Sequence, residues 1–254
     1  MPRHLSIWFP RLGAERWLRL GACPVGQPLV TVGARGGTVA SASAAAAAVG
    51  LDPGMTLEEA FGRYPGLVVL PADEAAEAVL LSAMARAARG VGWTVEPEPP
   101  DGLSLGIGPL ESEVAIVAQA LSAASASGFS ARPGVADTAP AARILARHGL
   151  TGGSGPGRIA APGRTREALL PLPVEALDLS RPALRRLERL GVRAIAEIAD
   201  WPDPALRRYL GAEVADRLGA ALGREVAMPD LAPFGEGVVA FAGNAGPRRS
   251  LRSA

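Results

Sequence analysis

VGWTVEPEPPDGLSLGI, residues 91–107, contains the clearest strand and turn signals of the sequence. Two runs rich in branched and apolar residues, 91–96 and 103–107, lie on either side of the turn EPPDG at 98–102. An Asp-Gly pair is typical of a tight turn, because aspartate bonds its own backbone and glycine accepts a positive φ. The stretch therefore predicts two neighbouring strands joined by a polar turn.

Further elements on both sides of these strands complete the pattern. The predicted elements are strands at 3–9 and 129–135 and helices at 74–89, 111–125 and 138–148. The order β-α-β-β-α-β is that of the split βαβ, ferredoxin-like sheet, so the predicted fold class is α/β of the α+β kind. Asp137 or Thr138 is the predicted N-cap of the last helix.

Residues 20–70 are predicted to be an insertion into this sheet. The elements expected there are a hairpin of strands 28–33 and 37–42 with Arg35 in its turn, an alanine-rich helix at 41–50 and a buried strand at 67–70. Thr56 and Glu59 match the S/T-x-x-E capping box of one more short helix.

The last third of the chain is predicted to be helical. The glycine-rich stretch TGGSGPGR at 151–158 is flexible by composition, and it lacks the Gly-Lys-Ser/Thr of a phosphate-binding loop. Helices are predicted after it at 182–191, 194–201, 204–211 and 213–223. Residues 227–254 hold Pro, Gly and Arg without periodicity, which predicts a poorly ordered tail.

The composition excludes some chemistry and leaves nucleic-acid binding open. All 26 basic residues are arginine, which excludes mechanisms that need a lysine nucleophile. Residues 151–254 hold 15 Arg against 12 acids, a mild basic excess compatible with nucleic acid. A zinc site needs about four N/S ligands, and His4, Cys23 and His148 are the only three candidates. The single cysteine and the lack of an apolar run of about 20 residues favour a cytoplasmic protein with no membrane partner.

Five segments, in order, resemble the Y-family (UmuC/DinB-type) DNA polymerases. They are LSIWFPRLGAERW at 5–17, VASASAAAAAVGLDPGMTLEEAFGRYPGLVVLPAD at 39–73, PDGLSLGIG at 100–108, GVADTAPAARILARHG at 134–149 and LPLPVEALDLSRPALRRLERLGVRAIAEIADWP at 170–202. The variants LSxWFPR, PDGL and ADTxxAA are similar to those of the ImuB-type, catalytically inactive branch. The resemblance covers roughly residues 3–224.

The resemblance implies a division into named domains. The expected domains are a ferredoxin-like palm at 1–19 and 71–150, a fingers insertion at 20–70, a linker at 151–165, a helix-hairpin-helix-like thumb at 166–226 and the tail at 227–254. Family members continue into a little-finger domain, and ImuB-type proteins add a clamp-binding peptide. The chain ends about where the little finger is expected and holds no Q-x-x-L-type peptide, so we expect a truncated member.

The resemblance also implies where catalytic metals would lie, and the residues there do not suit them. Polymerase chemistry uses two divalent metals held by carboxylates, from a D-x-D on the first palm strand and a D-E on the later strand pair. Trp8 and Pro10 replace the first two acids, with Arg11 next to them, and Gly102 replaces the last. Asp101 is the sole surviving palm acid, and its alternative interpretation is a turn residue. We therefore expect no catalytic residue, metal or cofactor, and no enzyme activity.

The nucleotide contacts implied by the resemblance are depleted too. Ala44 and Ala47 stand where the fingers motif offers tyrosine and arginine to the triphosphate. Arg143 matches the positive residue of the family's A-K motif, so it is the candidate nucleotide-binding residue. Its alternative interpretation is a solvated helix arginine. The acids Glu96, Glu98 and Asp101 could suggest acid-base chemistry, but a solvated acidic loop is the preferred interpretation.

The thumb offers candidate DNA contacts. The arginines that could meet phosphates are Arg185, Arg186, Arg189, Arg193, Arg207 and Arg208. The family's P-G-I-G hairpin is replaced by the run at 178–182, DLSRP, which weakens this expectation. An amphipathic helix with a charged face is the alternative.

The function implied is that of a non-catalytic accessory in DNA repair and error-prone translesion synthesis during the SOS response. The implied partners are damaged DNA, an error-prone C-family polymerase, an ImuA-type RecA-like protein and the sliding clamp. Two alternatives stay open. One is an active Y-family polymerase with unusual metal ligands, and the other is a degenerate remnant without function.

Overall fold

A computed structural model describes residues 3–24, 26–34, 36–89, 94–108, 112–149 and 159–224. Its strands are β1 (Arg3–Trp8), β2 (Leu29–Val32), β3 (Val39–Ala42), β4 (Val68–Pro71), β5 (Val95–Glu98), β6 (Gly102–Ile107) and β7 (Arg132–Ala136). Its α-helices are α1 (Leu12–Arg19), α2 (Ala44–Ala48), α3 (Leu57–Arg63), α4 (Glu74–Arg89), α5 (Glu113–Ala126), α6 (Ala139–His148), α7 (Thr165–Leu169), α8 (Arg181–Arg189), α9 (Asp203–Tyr209) and α10 (Ala212–Leu222). Short 3-10 turns lie at Val174–Leu177 and Ile195–Glu197.

The palm is one antiparallel sheet in the order β5-β6-β1-β7. This is the strand order of the ferredoxin-like fold, so the fold class predicted from the sequence is confirmed. The central hairpin is also confirmed, with β5 starting at Val95; residues 90–93 lie outside the described part of the chain.

The two faces of this sheet have different functions in the fold. Leu5 and Ile7 of β1, with Phe9 beyond its end, lie on one face and pack in a core with α4 and α5. Strand residues alternate between faces, so Ser6 and Trp8 lie on the other side. Helix α6 covers that side and contacts both β1 and β7.

Glycine at position 134 allows α6 to lie directly on the sheet. A Cβ atom on Gly134 would come 2.2 Å from the carbonyl oxygen of Ala142 and 2.3 Å from the amide nitrogen of Ala146. Helix α6 then contributes its opposite side to the thumb, because Leu145 shares a core with Leu169 and Leu218. Palm and thumb are therefore joined by a continuous apolar core.

The fingers are a three-stranded sheet in the order β3-β2-β4. Strands β2 and β3 form the predicted hairpin, whose Arg35 lies outside the described residues, while β4 pairs with β2 in parallel. The predicted capping box of Thr56 and Glu59 is confirmed at the start of α3.

Two details of the fingers differ from the sequence prediction. The alanine-rich helix is shorter than 41–50, because Ser41 and Ala42 pair with β2 and the Ser43 hydroxyl accepts a hydrogen bond from the Ala46 amide as N-cap. Strand β4 was predicted to be buried, and most of it is only half-buried because it is an edge strand.

Helix α1 was not predicted from the sequence. It is short and ties the palm together through its buried Glu15, whose carboxylate accepts hydrogen bonds from the Ser130 amide at 2.8 Å and from the Ser130 hydroxyl. The contact joins α1 to the segment that leads into β7.

The thumb has the predicted helices at α8, α9 and α10, and it also has α7. The helix predicted at 194–201 is wrong, because only the 3-10 turn Ile195–Glu197 forms there. The amides of Glu197 and Ile198 donate to the carbonyl oxygens of Ala194 and Ile195, three residues earlier, which is the bonding pattern of a 3-10 turn.

The chain that enters the thumb is packed onto the palm. Residues 151–158 of the predicted linker lie outside the described residues, but Ile159 forms a bridge with Val135 and Ala160 is buried. The predicted tail at 227–254 also lies outside them, and the domain limits stay a prediction. Within the described ranges, no helix has the length and apolar character needed to cross a membrane.

Candidate functional site

The candidate site lies where β1 ends, on the face of the palm sheet that α6 covers. In the sheet register Trp8 pairs with Gly102 of β6 on one side and with Arg132 of β7 on the other. Two of the positions where the resemblance expected acids therefore lie side by side. The turn with Asp101 is held against β1, because the Phe9 amide donates to the Asp101 carbonyl oxygen at 2.8 Å.

Both carboxylate oxygens of Asp101 have protein partners. Its Oδ2 accepts a hydrogen bond of 2.8 Å from the indole Nε1 of Trp8. Its Oδ1 forms an ion pair with the guanidinium of Arg147 on α6. Asp101 lies in the predicted turn, and each of its carboxylate oxygens contacts a side chain of the protein.

The carboxylate of Glu98, at the end of β5, also has protein partners. Its Oε2 accepts a hydrogen bond of 2.6 Å from the Ser6 hydroxyl, and its Oε1 lies 3.4 Å from Arg143. The side chain of Glu98 is only 15% exposed, so the prediction that it belongs to a solvated acidic loop is wrong. Its burial follows from its position on a strand of the sheet, opposite Gly102.

Arg143 is fixed by contacts within the chain. Besides Glu98, it reaches the Asp178 carboxylate at 3.7 Å and the Pro99 carbonyl oxygen at 3.3 Å. It is not a freely solvated arginine, and its proposed contact with a nucleotide stays a prediction.

Two arginine side chains lie close to the Trp8 ring. The guanidinium carbons of Arg132 and Arg147 lie 5.5 Å and 5.9 Å from its centroid, within the range of cation–π attraction. Burial lowers the pKa of Arg147, the Asp101 carboxylate opposes this shift, and an arginine stays charged in proteins. Burial and the charge of Arg147 likewise lower the pKa of His148.

The carboxylates at this site are paired with arginines, which disfavours a pair of divalent metals there. Arg147 pairs with Asp101, and Arg143 pairs with Glu98 and Asp178. Two-metal catalysis needs carboxylate ligands for the two ions, contributed by both strands. In the part of the chain that the structure describes, no cluster of three or more His, Cys, Asp or Glu side chains is placed to hold a metal ion.

The two positions in the fingers where nucleotide contacts were expected, Ala44 and Ala47, have no polar side-chain atoms. Ala44 is exposed and Ala47 is half-buried on α2. A methyl group offers no hydrogen bond and no charge to a triphosphate, so these two positions cannot supply the contacts that the resemblance expected.

The predicted thumb arginines fall into two groups. In the first group, Arg186 donates to the Leu210 carbonyl oxygen at 3.1 Å, and Arg208 lies 5.5 Å from the centroid of the Tyr209 ring. Arg207 forms ion pairs of 2.6 Å with both Asp203 and Asp216. The second group is exposed, and no ion pair, hydrogen bond or ring contact with a described residue is found for its side chains: Arg185, Arg189 and Arg193. Of the six predicted arginines, these three are the most available to phosphates.

The hairpin before α8 has no free amide at Ser180. The Glu213 carboxylate accepts hydrogen bonds from the Ser180 amide at 2.6 Å and from its hydroxyl at 2.7 Å. Asp178, two residues earlier, adopts a left-handed conformation with φ of 54°. An anion that approached this hairpin would compete with a carboxylate of the chain itself.

Sequence reasoning missed three residues that define these surfaces: Arg132, Arg147 and Glu213. Arg147 follows Arg143 by one helical turn, and this i,i+4 spacing was the available signal for two cations on one helix face. Nothing in the sequence near Arg132 or Glu213 indicates their partners, because the strand register and the thumb packing bring them there.

Comparison with known proteins places this geometry in a known class. No family model matches the chain. DinB from Sulfolobus solfataricus has the same fold with a TM-score of 0.68 at 19% sequence identity, over 89% of this chain and 68% of that one. An insertion ternary complex of Dbh DNA polymerase gives a TM-score of 0.70 at 19% identity, over 89% of this chain and 69% of that one.

The chain therefore has the fold of the Y-family DNA polymerases. Its sequence is similar to that of the protein ImuB of Caulobacter vibrioides, with 33% identity over 179 residues, in strains NA1000 / CB15N and ATCC 19089 / CIP 103742 / CB 15. The matched segment is 69% of this chain and 38% of that relative, so the chain spans well under half the length of the curated relatives it matches.

Proposed function

We propose that this chain is a non-catalytic Y-family accessory in DNA repair and error-prone translesion synthesis. The observation that carries the proposal is the pairing of the palm carboxylate: Asp101 accepts a hydrogen bond from Trp8 and forms an ion pair with Arg147. Strand β1 contains no acidic residue that could complete a metal site. A polymerase palm needs the opposite arrangement, with carboxylates free to bind cations.

Primer extension distinguishes this proposal from the alternative that the chain is an active polymerase with unusual metal ligands. The purified full chain is incubated with a primed template, nucleotides and either Mg²⁺ or Mn²⁺, and Asp101→Ala is the matched variant. We expect no incorporation above background with either protein. Incorporation by the unmodified chain that Asp101→Ala abolishes would establish the active-polymerase alternative.

DNA binding is the second part of the proposal, and the thumb supports it. Arg185, Arg189 and Arg193 are exposed, and each phosphate that they neutralise should steepen the salt dependence of binding. Replacing all three by Ala should reduce the slope of log K against log salt by about 0.9 for each phosphate on duplex DNA that is no longer neutralised. Arg207→Ala is the control, because Asp203 and Asp216 already neutralise that side chain.

The proposed partners follow from the ImuB-like sequence: damaged DNA, an error-prone C-family polymerase, an ImuA-type RecA-like protein and the sliding clamp, in a cytoplasmic setting. Pull-down of the C-family polymerase by the tagged chain distinguishes an accessory from a remnant without function. Capture at micromolar concentration supports the accessory role, while loss of both this capture and DNA binding would indicate a remnant.

A further inference from the structure

Tyr209, at the end of α9, is the more exposed of the two aromatic side chains that the described part of the chain leaves open to solvent. Its exposed fraction is 57%, against 42% for Phe61 of the fingers. A single exposed apolar side chain is common on protein surfaces and needs no explanation by itself. The residues around Tyr209 therefore decide whether its ring has a binding function.

The neighbours of Tyr209 are positively charged. The guanidinium carbon of Arg208 lies 5.5 Å from the centroid of the Tyr209 ring. Arg186 reaches this end of α9 from α8, where its Nη1 donates to the Leu210 carbonyl oxygen at 3.1 Å. The same Nη1 lies close to Gly211, because a Cβ atom there would come within 2.8 Å of it. Arginines of two different helices thus meet at the end of α9 that carries the exposed ring.

No acid of the described chain neutralises these two arginines. The partner of Arg186 is a neutral carbonyl oxygen and that of Arg208 is a ring, and no carboxylate among the described residues lies within 4.0 Å of either guanidinium. Arg207 is the contrast, because Asp203 and Asp216 each pair with it at 2.6 Å. The end of α9 therefore carries two positive charges that phosphates could neutralise.

Helix α8 extends this surface away from α9. Arg189 and Leu190 follow Arg186 by three and four residues, so they lie on the same side of α8, about one turn further along. Arg189 is exposed, and 56% of Leu190 is exposed. We call the set Arg186, Arg189, Leu190, Arg208 and Tyr209 the α8–α9 surface. It combines arginines with an exposed ring and an exposed aliphatic side chain.

This combination favours single-stranded DNA over a duplex. Contacts to the backbone of a duplex require cations, but they do not require an aromatic ring, because the paired bases are stacked on one another. Sites for single strands combine a positively charged surface with aromatic side chains on which unpaired bases stack, and arginine adds cation–π contacts. The exposed ring beside unneutralised arginines matches the second kind of site.

We propose that the α8–α9 surface binds single-stranded DNA, with an unpaired base stacked on the Tyr209 ring and phosphates beside Arg186, Arg189 and Arg208. Leu190 adds an apolar contact to the same strand. The inference rests on the DNA binding proposed above, and it adds the form of the nucleic acid and a contact to a base. Every base has a π face, so this binding tolerates any sequence.

Substitutions at Tyr209 test the proposal through the affinity for a fluorescein-labelled oligothymidylate of about 16 nucleotides, measured by anisotropy. Tyr209→Ala and Tyr209→Leu should weaken binding about 5- to 100-fold, as expected for the loss of one stacked base, while Tyr209→Phe keeps the ring and should bind within about two-fold of the unmodified chain. The salt dependence of Tyr209→Ala should be unchanged, because no phosphate contact is removed. Arg207→Ala, on the same helix, is the matched control and should keep its affinity.

A duplex of the same length completes the test, and Tyr209→Ala should bind it as tightly as the unmodified chain does. Equal losses for duplex and single strand, an unchanged affinity of Tyr209→Ala for the single strand, or a Tyr209→Leu affinity equal to that of Tyr209→Phe would overturn the stacking contact. Normal oligonucleotide binding by Tyr209→Ala together with lost capture of the C-family polymerase would assign the surface to a protein instead. Failure of the proposed DNA binding itself is distinguishable, because the unmodified chain would then bind neither single strand nor duplex, which would overturn both proposals.

Discussion

Asp101 shows, at the scale of a single residue, why one acid in the turn before a palm strand is not enough for a metal site. Its Oδ2 accepts from Trp8 at 2.8 Å and its Oδ1 faces Arg147. A divalent ion would compete with a guanidinium that is itself mostly buried. The ion pair joins this turn to α6.

Arg147→Ala should destabilise the fold on the order of 2 kcal/mol, less than the about 3–5 kcal/mol expected for a fully buried pair, because Asp101 keeps some contact with solvent. Urea denaturation measures the change. In a double-mutant cycle, Asp101→Asn should remove much of the cost of Arg147→Ala. Additive effects of the two substitutions would show that the pair does not contribute to stability.

Single residues also mark the limit of sequence prediction at this site. The order of the motifs alone predicts that Trp8, Pro10 and Gly102 stand where the family has acids. Arg147 could not be assigned to Asp101, because 46 residues separate the two and only the position of α6 on the sheet brings them together.

At the scale of elements, the contact between α6 and β7 positions the site. Gly134 lets the helix backbone lie against the strand, and this places Arg143 and Arg147 over the ends of the palm strands. A side chain at this position would meet backbone atoms, which cannot move independently of the helix.

Gly134→Ala should therefore destabilise the fold by at least about 3 kcal/mol, the upper end of the usual cost of overpacking. Gly106→Ala in β6 is the matched control, since nothing lies within 4 Å of a Cβ there, and it should change stability little. Comparable midpoints for both variants in chemical denaturation would contradict the close contact of α6 with β7.

Elements with regular patterns could be predicted, and those fixed by tertiary contacts could not. The palm strands and α4 follow from alternation and helical periodicity, and the capping box of Thr56 and Glu59 identified α3. Helix α1 escaped prediction because it is short and lies next to Pro10, and its buried Glu15 depends on a distant serine for its partner. The predicted helix at 194–201 is a 3-10 turn instead, in which the amides of Glu197 and Ile198 donate to carbonyl oxygens three residues earlier.

At the scale of the whole molecule, an ionic network fastens the thumb to the palm. Arg3 lies between the Glu113 carboxylate at 2.7 Å and the Asp137 carboxylate at 2.8 Å, and it donates to the Ala160 carbonyl oxygen. Asp137 also accepts from the Thr165 hydroxyl at 2.6 Å. The network links the first palm strand to the first thumb helix across the end of the predicted linker.

This network should make stability depend on pH. Burial acts to raise the pKa of Asp137, but hydrogen bonds from Thr165, Gly163 and Arg3 outweigh it and lower the pKa below the usual 3.8. Its contribution is present above the usual value and is lost as the pH falls through the lowered one. Asp137→Asn should therefore destabilise the chain at pH 7 and much less near pH 2. An equal cost at both pH values would contradict this account.

Manganese binding to the whole chain reports on the palm carboxylates without requiring catalysis. Titration of Mn²⁺ followed by electron paramagnetic resonance, with Asp101→Ala as the matched variant, should show no saturable site at millimolar Mn²⁺ in either protein. Two Mn²⁺ ions that bind to the unmodified chain and are absent from Asp101→Ala would contradict the account of a palm whose carboxylates are occupied by arginine and tryptophan.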